Sequence, residues 1–574
     1  MSDLKRDIGV STDNTEIVTV DKKKADYFHE NLTKMVSGNR QLGDIVSSDR
    51  MLGYTDSIMA TCATFLVIPI KKIHTTNANQ TLALSSFIDD MQAEFIMFFL
   101  GFAVVLTIWE NINVRTMVVK RVDDYVLTFV ILEMLATTVL PFSLALQGNY
   151  PSEKVSIILT CCVLGFIQIL DILLICYAIE TPRILHIEIQ TWSKTELRRF
   201  RNIVLIRPLL SLVLVVIGGV LCLVHYAVSW GFIAILTLMP TIRNLFLYVR
   251  RRMKTSKKME KYEFYFFFSK GNIPNERIEV MSDAAVAVIA CLLILDITTD
   301  EFPLSNIVSE KGLKHVLENM KSEFYTFLAT FAMVSTLWYV NHCVLHLFRT
   351  INTVALYLQK FFLAFSCLCP LAGNMILKYG AKGNASSITS IRYAGLIVFC
   401  ASMANFFLFF YGFLTQEKYW FEWAKCDRSF KAMPRQCLYI VFKTLNVPFW
   451  SLLCTLGSLG SPKFSFFVLC TCFIASPLTF FFAKLAFMNH IGKNNQSCDT
   501  NINVYLNSHM CNINKNEENK QNITKRFEER EIGDIIYDKC IQSNVNNNLL
   551  LKDLYVVQNN AALISYKTNV NCYL

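Results

Sequence analysis

Charge is scarce in this chain. Asp, Glu, Lys and Arg make up 17% of its 574 residues, where a soluble protein carries about a quarter. That shortfall, with a mean hydropathy of +0.38, excludes an ordinary water-soluble domain. Enzyme signatures are missing too. There is no H-E-x-x-H, no G-x-S-x-G and no P-loop, so neither zinc-protease, serine-hydrolase nor nucleotide-hydrolysis chemistry is signalled. None of the nineteen cysteines stands in C-x-x-C spacing, which removes the usual zinc and redox motifs. Most of them, Cys62, Cys161, Cys291 and Cys454 among them, sit in apolar runs and read as small membrane-core residues. No cofactor or metal is implied. The N-terminus is polar and has no apolar leader segment, so it is expected to remain in the cytosol.

What the chain has is apolar length. Phe95 to Trp109, Val155 to Ile179, Phe324 to Val340 and Phe464 to Phe487 are nearly free of charge. A helix needs roughly 20 such residues to cross a hydrocarbon layer ~30 Å thick. The spans fall at 51–72, 91–114, 124–146, 154–180, 203–227 and 230–249, then at 278–298, 322–348, 352–378, 389–415, 436–457 and 464–489. The expected fold is an all-α integral membrane protein with about twelve transmembrane helices in two tandem six-helix repeats. Its partner is the lipid bilayer. The net charge of +10 needs no nucleic acid to explain it, because Lys and Arg gather on cytoplasmic loops.

Between the two sets runs VRRRMKTSKKMEK, with Arg250, Arg251, Arg252, Lys254, Lys257, Lys258 and Lys261 close together. This run puts the linker in the cytosol, and six spans on each side put both termini there as well. The chain then divides into a cytosolic segment (1–49), repeat I (50–250), a basic linker (251–276), repeat II (277–490) and a polar tail rich in Asn and Lys (491–574) that reads as disordered. The glycan acceptor motifs at Asn79 and Asn384 fall in lumenal loops.

The halves repeat in sequence. Arg50-Met-Leu-Gly-Tyr54-Thr55-Asp56 opens the first, and Arg277-Ile-Glu-Val-Met281-Ser282-Asp283 opens the second, 227 residues later. Trp109 and Trp338, and likewise Pro141 and Pro370, stand 229 apart. An acid at the start of an apolar span is expensive to bury and is expected to face the bundle interior with a partner. Trp338 and His342, one turn apart, could supply one, and Trp109 and Asn113 stand at the corresponding places. Two roles fit: a polar clamp locking the first helix against the second, or a gate or proton site. Glu133, Asp171, Arg207 and Lys443 also lie within spans, and Asp171 with Arg207 is a candidate ion pair.

The doubled Arg-x-x-x-(aromatic or Met)-(Ser/Thr)-Asp motif resembles the Arg-x-x-x-Phe-Ser-Asp signature of the transmembrane protein 175 family. The likeness extends through the first helices, the helix-two tryptophans and the six-plus-six plan, over residues 50–490. It implies a homodimeric channel of endosomal and lysosomal membranes that passes potassium ions and also protons, without the TVGYG loop of ordinary potassium channels. In that family the first helix of each repeat lines the pore, and isoleucines form its neck. Here those positions hold Thr61 and Val288, followed along the face by Thr64 and Cys291, then Ile68 and Leu295. Tyr54-Thr55 and Met281-Ser282 replace Phe-Ser, and Thr61 makes half the neck polar. A rotated helix would instead bring Cys62 or Ile58 to the neck and leave Thr61 bonded to a helix carbonyl.

A twelve-span secondary transporter is the competing reading, weakened by the lack of paired Gly/Pro interruptions. A membrane enzyme is weaker still. The topology has a direct check. Glycosidase treatment should shift the mobility of the protein, and Asn79→Gln should remove part of that shift. A glycan on Asn522, which stands in an acceptor motif of the tail expected in the cytosol, would reverse the assigned orientation.

Overall fold

The computed structural model describes residues 46–70, 91–239, 273–299, 305–380, 384–421, 424–425 and 435–486, with 242 and 249. Asn79, the basic run at 250–261, most of the N-terminal segment and the polar tail lie outside the described residues. Eleven helices among the described residues are long and apolar enough to cross a bilayer. A helix satisfies its own backbone groups, and in hydrocarbon there is no water to do so.

Repeat I contains α1 (Ser48–Phe65), α2 (Gln92–Val118), α3 (Asp124–Asn149), α4 (Lys154–Glu180), α5 (Lys194–Leu221) and the shorter α6 (Tyr226–Thr237). Repeat II contains α7 (Asn275–Thr299), α8 (Lys321–Leu345), α9 (Thr353–Gly380), α10 (Ala385–Leu414), α11 (Arg435–Gly457) and α12 (Pro462–Ala486). Two short helices, Ser305–Lys311 and Leu313–Asn319, join α7 to α8. The chain divides into two compact units, residues 1–62 with 103–270 and residues 63–102 with 271–574. Within the first, α3 packs on α4, α4 on α5 and α5 on α6; within the second, α7 packs on α8, α9 on α10 and α10 on α11. The beginning of α2 belongs to the second unit, where Phe99 meets Phe365 of α9 at 5.2 Å.

α5 begins nine residues before the apolar run at Ile203. Lys194, Arg198, Arg199 and Arg201 make its first turns too polar to read as a span. The start is set instead by a capping box: Ser193 Oγ accepts from the Glu196 N–H, and the Glu196 carboxylate accepts from the Ser193 N–H. α1 breaks at Leu66–Val67, because Pro69 offers no N–H and its ring crowds the carbonyl four residues back. α7 has no proline at the matching place and runs on to Thr299. α9 is interrupted at Leu368, just before Pro370, and ends in a π turn over Ile376–Gly380. α10 and α11 approach closely at Gly395, where a Cβ would lie 2.6 Å from Thr455 Oγ1.

The repetition continues in the corners. β1 (Val46–Ser47) pairs antiparallel with β2 (Arg121–Val122), and β3 (Ile273–Pro274) pairs in the same way with β4 (Thr350–Ile351). Each clasp is extended by the segment after the fourth helix of its repeat. The Lys120 N–H donates to the Ile184 carbonyl at 3.0 Å, and the Arg349 N–H donates to the Tyr419 carbonyl at 2.8 Å. Asp123 caps α3 and accepts from the Tyr177 hydroxyl of α4. Asn352 caps α9 and bonds the Tyr411 hydroxyl of α10.

Along α12, Phe467, Phe481 and Phe482 are exposed, as suits a face turned to hydrocarbon or to a partner chain. Because the capping box alone starts α5, Ser193→Ala should destabilise the protein by about 1 kcal/mol. A lowered midpoint in a thermal unfolding scan of the purified protein would show it.

Candidate functional site

The two motif aspartates meet the two predicted tryptophans. Asp56, fully buried on the third turn of α1, accepts from Trp109 Nε1 of α2 at 2.9 Å. Asp283 on α7 accepts from Trp338 Nε1 of α8 at 2.7 Å. An indole N–H is donor-only and a carboxylate is acceptor-only, so the pair is matched in chemistry and strengthened by charge. The settings differ, since Asp56 has no exposed surface and Asp283 is open to the outside of its unit.

The neighbouring hydroxyls diverge as well. Thr55 donates back to the Leu52 carbonyl of its own helix at 2.8 Å. Ser282 donates to Asn341 Oδ1 at 3.0 Å and accepts from Gln359 Nε2 at 3.2 Å. Asn341 in turn donates to Gln359 Oε1 and to Asn405 Oδ1, at 2.9 and 2.8 Å. This buried amide cluster ties α7, α8, α9 and α10 together, and the sequence reading missed it. The signal was a set of amides on three apolar spans of one repeat. His342 stacks on Trp338 and on His346, with ring centroids 5.6 and 6.2 Å apart. Asn113 donates to the Trp109 carbonyl at 2.9 Å. The tryptophans, rather than these two, reach the aspartates. Tyr54 is exposed and Met281 buried at one motif position, while Arg50 is exposed and Arg277 half-buried.

Beyond the clamps, the residues expected along the lining take different places. Thr61 and Val288 are both half-buried. The Thr61 hydroxyl donates to the Ser57 carbonyl at 2.8 Å, while Ile58 is half-buried and Cys62 buried. Thr64 is fully buried, and its neighbour Phe65 is exposed instead. Ile68 is half-buried after the break before Pro69. In α7, Cys291 and Leu295 are both exposed. Asn384 is exposed, and its side chain caps α10 by accepting from the Ser387 N–H.

The expected Asp171–Arg207 pair is not formed. Arg115 of α2 takes Asp171 of α4 at 2.7 Å and Glu133 of α3 at 2.7 Å, all three deeply buried. Arg207 of α5 stands 3.9 Å from Glu110 of α2. Arg115 escaped the sequence reading because the second span was ended at 114, whereas α2 runs to Val118. Two acids in adjacent spans should have demanded a cation. Lys443 of α11 donates to the Tyr339 hydroxyl of α8 at 2.8 Å and lies over the rings of Tyr339 and Tyr439 at 4.7 and 4.4 Å, a cation held by aromatic faces.

A family model described as the endosomal/lysosomal potassium channel TMEM175 matches residues 50–141 and 277–370. The two stretches begin on the motif arginines and end on the paired prolines, one in each repeat. In both repeats the chain is similar to the TMEM175 family. This is a family of ion channels, not of enzymes. The endosomal/lysosomal proton channel TMEM175 of Danio rerio is 23% identical over 381 residues, 65% of this chain and 72% of that protein. Its counterpart from Mus musculus is 26% identical over 380 residues, 65% and 74% respectively. A solved lysosomal potassium-selective TMEM175 homolog from Chamaesiphon minutus is 18% identical, with a TM-score of 0.29, covering 36% of this chain and 97% of that one. The TMEM175 match includes both clamps and stops before Asp171, Arg207 and Lys443.

The clamps should differ in cost. Trp109→Phe takes a donor from a fully buried carboxylate and should destabilise the protein by about 3 kcal/mol. Trp338→Phe, at an aspartate left exposed on its unit, should cost clearly less. Thermal unfolding of the two variants in one detergent measures the difference, and equal losses would refute the contrast.

Proposed function

We propose that this chain forms a homodimeric cation channel of endosomal and lysosomal membranes, permeable to potassium and to protons, with both termini in the cytosol. In this reading α1 and α7, the first helices of the two repeats, line the ion path. One observation carries it: the Trp–Asp hydrogen bond occurs in both repeats, at 2.9 and 2.7 Å, in the two stretches that match the channel family. A bond that fixes the start of each first helix against the second helix also fixes which face of it stays uncovered. Thr61 and Val288 lie five residues beyond the aspartates and remain partly uncovered. The names printed for the family and its relatives, potassium channel and proton channel, support the choice of ions.

The mechanism is one of partial dehydration. An apolar ring narrower than a hydrated ion repels water and forces the ion to shed part of its shell. Potassium holds that shell less tightly than sodium and pays less to pass. Thr61 lowers the barrier for both, because its hydroxyl oxygen keeps lone pairs while its proton sits on the Ser57 carbonyl. Val288 lowers it further by being a methylene smaller than isoleucine. Selectivity by this ring is therefore gentler than an all-isoleucine ring would give.

Bi-ionic potassium/sodium recordings test the reading. Instantaneous currents with a defined reversal potential are expected, and saturating, substrate-coupled flux would instead identify a transporter. Thr61→Ile should reduce conductance and raise the preference for potassium, while Thr61→Ala should do neither. Thr61→Cys should react with a small thiol reagent faster than Leu66→Cys, whose position is buried. Equal reactivity with an unchanged permeability ratio in Thr61→Ile would remove Thr61 from the ion path.

A further inference from the structure

Inside repeat I a single cation faces two acids. Arg115 bonds Glu133 and Asp171, and all three side chains are more than nine-tenths buried. With every group ionised, the triad holds a surplus negative charge in a low-dielectric interior, where a charge is costly unless it is compensated. Beside it lies a cavity with room for a water molecule. Its polar walls are Asn111 and Arg115 from α2, Asp171 from α4 and Arg207 from α5; the rest of the lining is apolar. Asn111 is buried, and its Oδ1 has no hydrogen-bond partner in the protein. A buried acceptor without a donor points to a ligand that brings one.

We propose that this cavity is a proton-binding site built around one internal water molecule. The water donates one proton to Asn111 Oδ1 and the other to the Asp171 carboxylate, and accepts from the Arg207 guanidinium. That gives it three polar partners, the usual number for an internal water. The surplus charge of the triad retains one proton on its carboxylates, and the water is the route by which that proton arrives and leaves. A metal cation does not suit the site, because two guanidinium groups border a space the size of one water. The charged groups facing it are Arg115, Asp171 and Arg207, with Glu133 behind Arg115 and Glu110 behind Arg207. The interior of repeat II is built from the neutral amides Asn341, Gln359 and Asn405, so among the described residues the site is formed in repeat I. It stands or falls independently of whether α1 and α7 line an ion path.

Infrared difference spectroscopy on the full chain in lipid nanodiscs, at neutral pH and with transfer from H2O to D2O, tests this. The wild type should show the carbonyl band of a protonated carboxyl that exchanges with deuterium. Glu133→Gln and Asp171→Asn should each abolish it by removing the surplus charge. Asn111→Leu, which fills the cavity with an apolar side chain of similar size, should keep the band and slow its exchange several-fold. Absence of the band in the wild type, its survival in both charge-removing variants, or wild-type exchange in Asn111→Leu would each overturn the proposal. Should the variants fail to fold, a wild-type density map that resolves other internal waters decides. A peak within hydrogen-bond reach of Asn111 Oδ1 is expected, and empty density there refutes the site.

Discussion

An indole N–H aimed at a carboxylate near the start of a span is the interaction on which each repeat is organised. Asp56 is fully buried, so no water can take the place of Trp109 there, and Trp338 makes the same bond to Asp283; each aspartate thereby ties the second helix to the first. The rest of the polar interior follows from that anchoring. With α1 and α2 in register, Arg115 at the far end of α2 comes between α3 and α4, where Glu133 and Asp171 meet it. With α7 and α8 in register, Asn341 comes between α9 and α10, where Gln359 and Asn405 meet it. One scaffold therefore carries two solutions to the same problem, one ionic and one neutral. The ionic solution is the more demanding. Losing one partner of a buried pair strands a charge, whereas losing one amide strands a dipole.

The fifth helices follow the same division. Arg207 faces Glu110 in repeat I, and Lys443 faces Tyr339 in repeat II, each a cation on helix five set against helix two of its own repeat. Glu110 and Tyr339 stand 229 residues apart, the spacing of the paired tryptophans. The partner is an acid in one repeat and a phenol in the other, and the link between the helices is present in both. Lys443 is held by two aromatic faces as well as the hydroxyl, a softer environment than a carboxylate offers.

Much of this was legible in the sequence, because membrane spans announce themselves by length and a doubled motif announces its register. The two Trp–Asp pairs could be anticipated, since a buried acid demands a donor and tryptophan stood at one spacing in both halves. What stayed hidden depended on where helices end and how they turn. Arg115 was hidden by a span boundary drawn four residues short, and that error led to pairing Asp171 with the wrong arginine. The first turns of α5 were hidden by their lysines and arginines. Thr64 is expected along the lining from its spacing to the neck position that the family resemblance implies, and within its unit it is fully buried. Spacing gives the angle between two side chains and not the direction in which the neighbouring helices lie.

The small strand clasps have a mechanical consequence. β1 joins the chain before α1 to the corner between α2 and α3, and β3 does the same ahead of α7. Tension on the segment before either first helix is therefore delivered to backbone hydrogen bonds at a corner before it can reach the helix. The segments after α4 and after α10, each bridged to its clasp by backbone hydrogen bonds, spread that load over a further helix. A pull of modest size from outside the membrane is thus absorbed at the rim, and the first helix of each repeat is strained only once its clasp has given way.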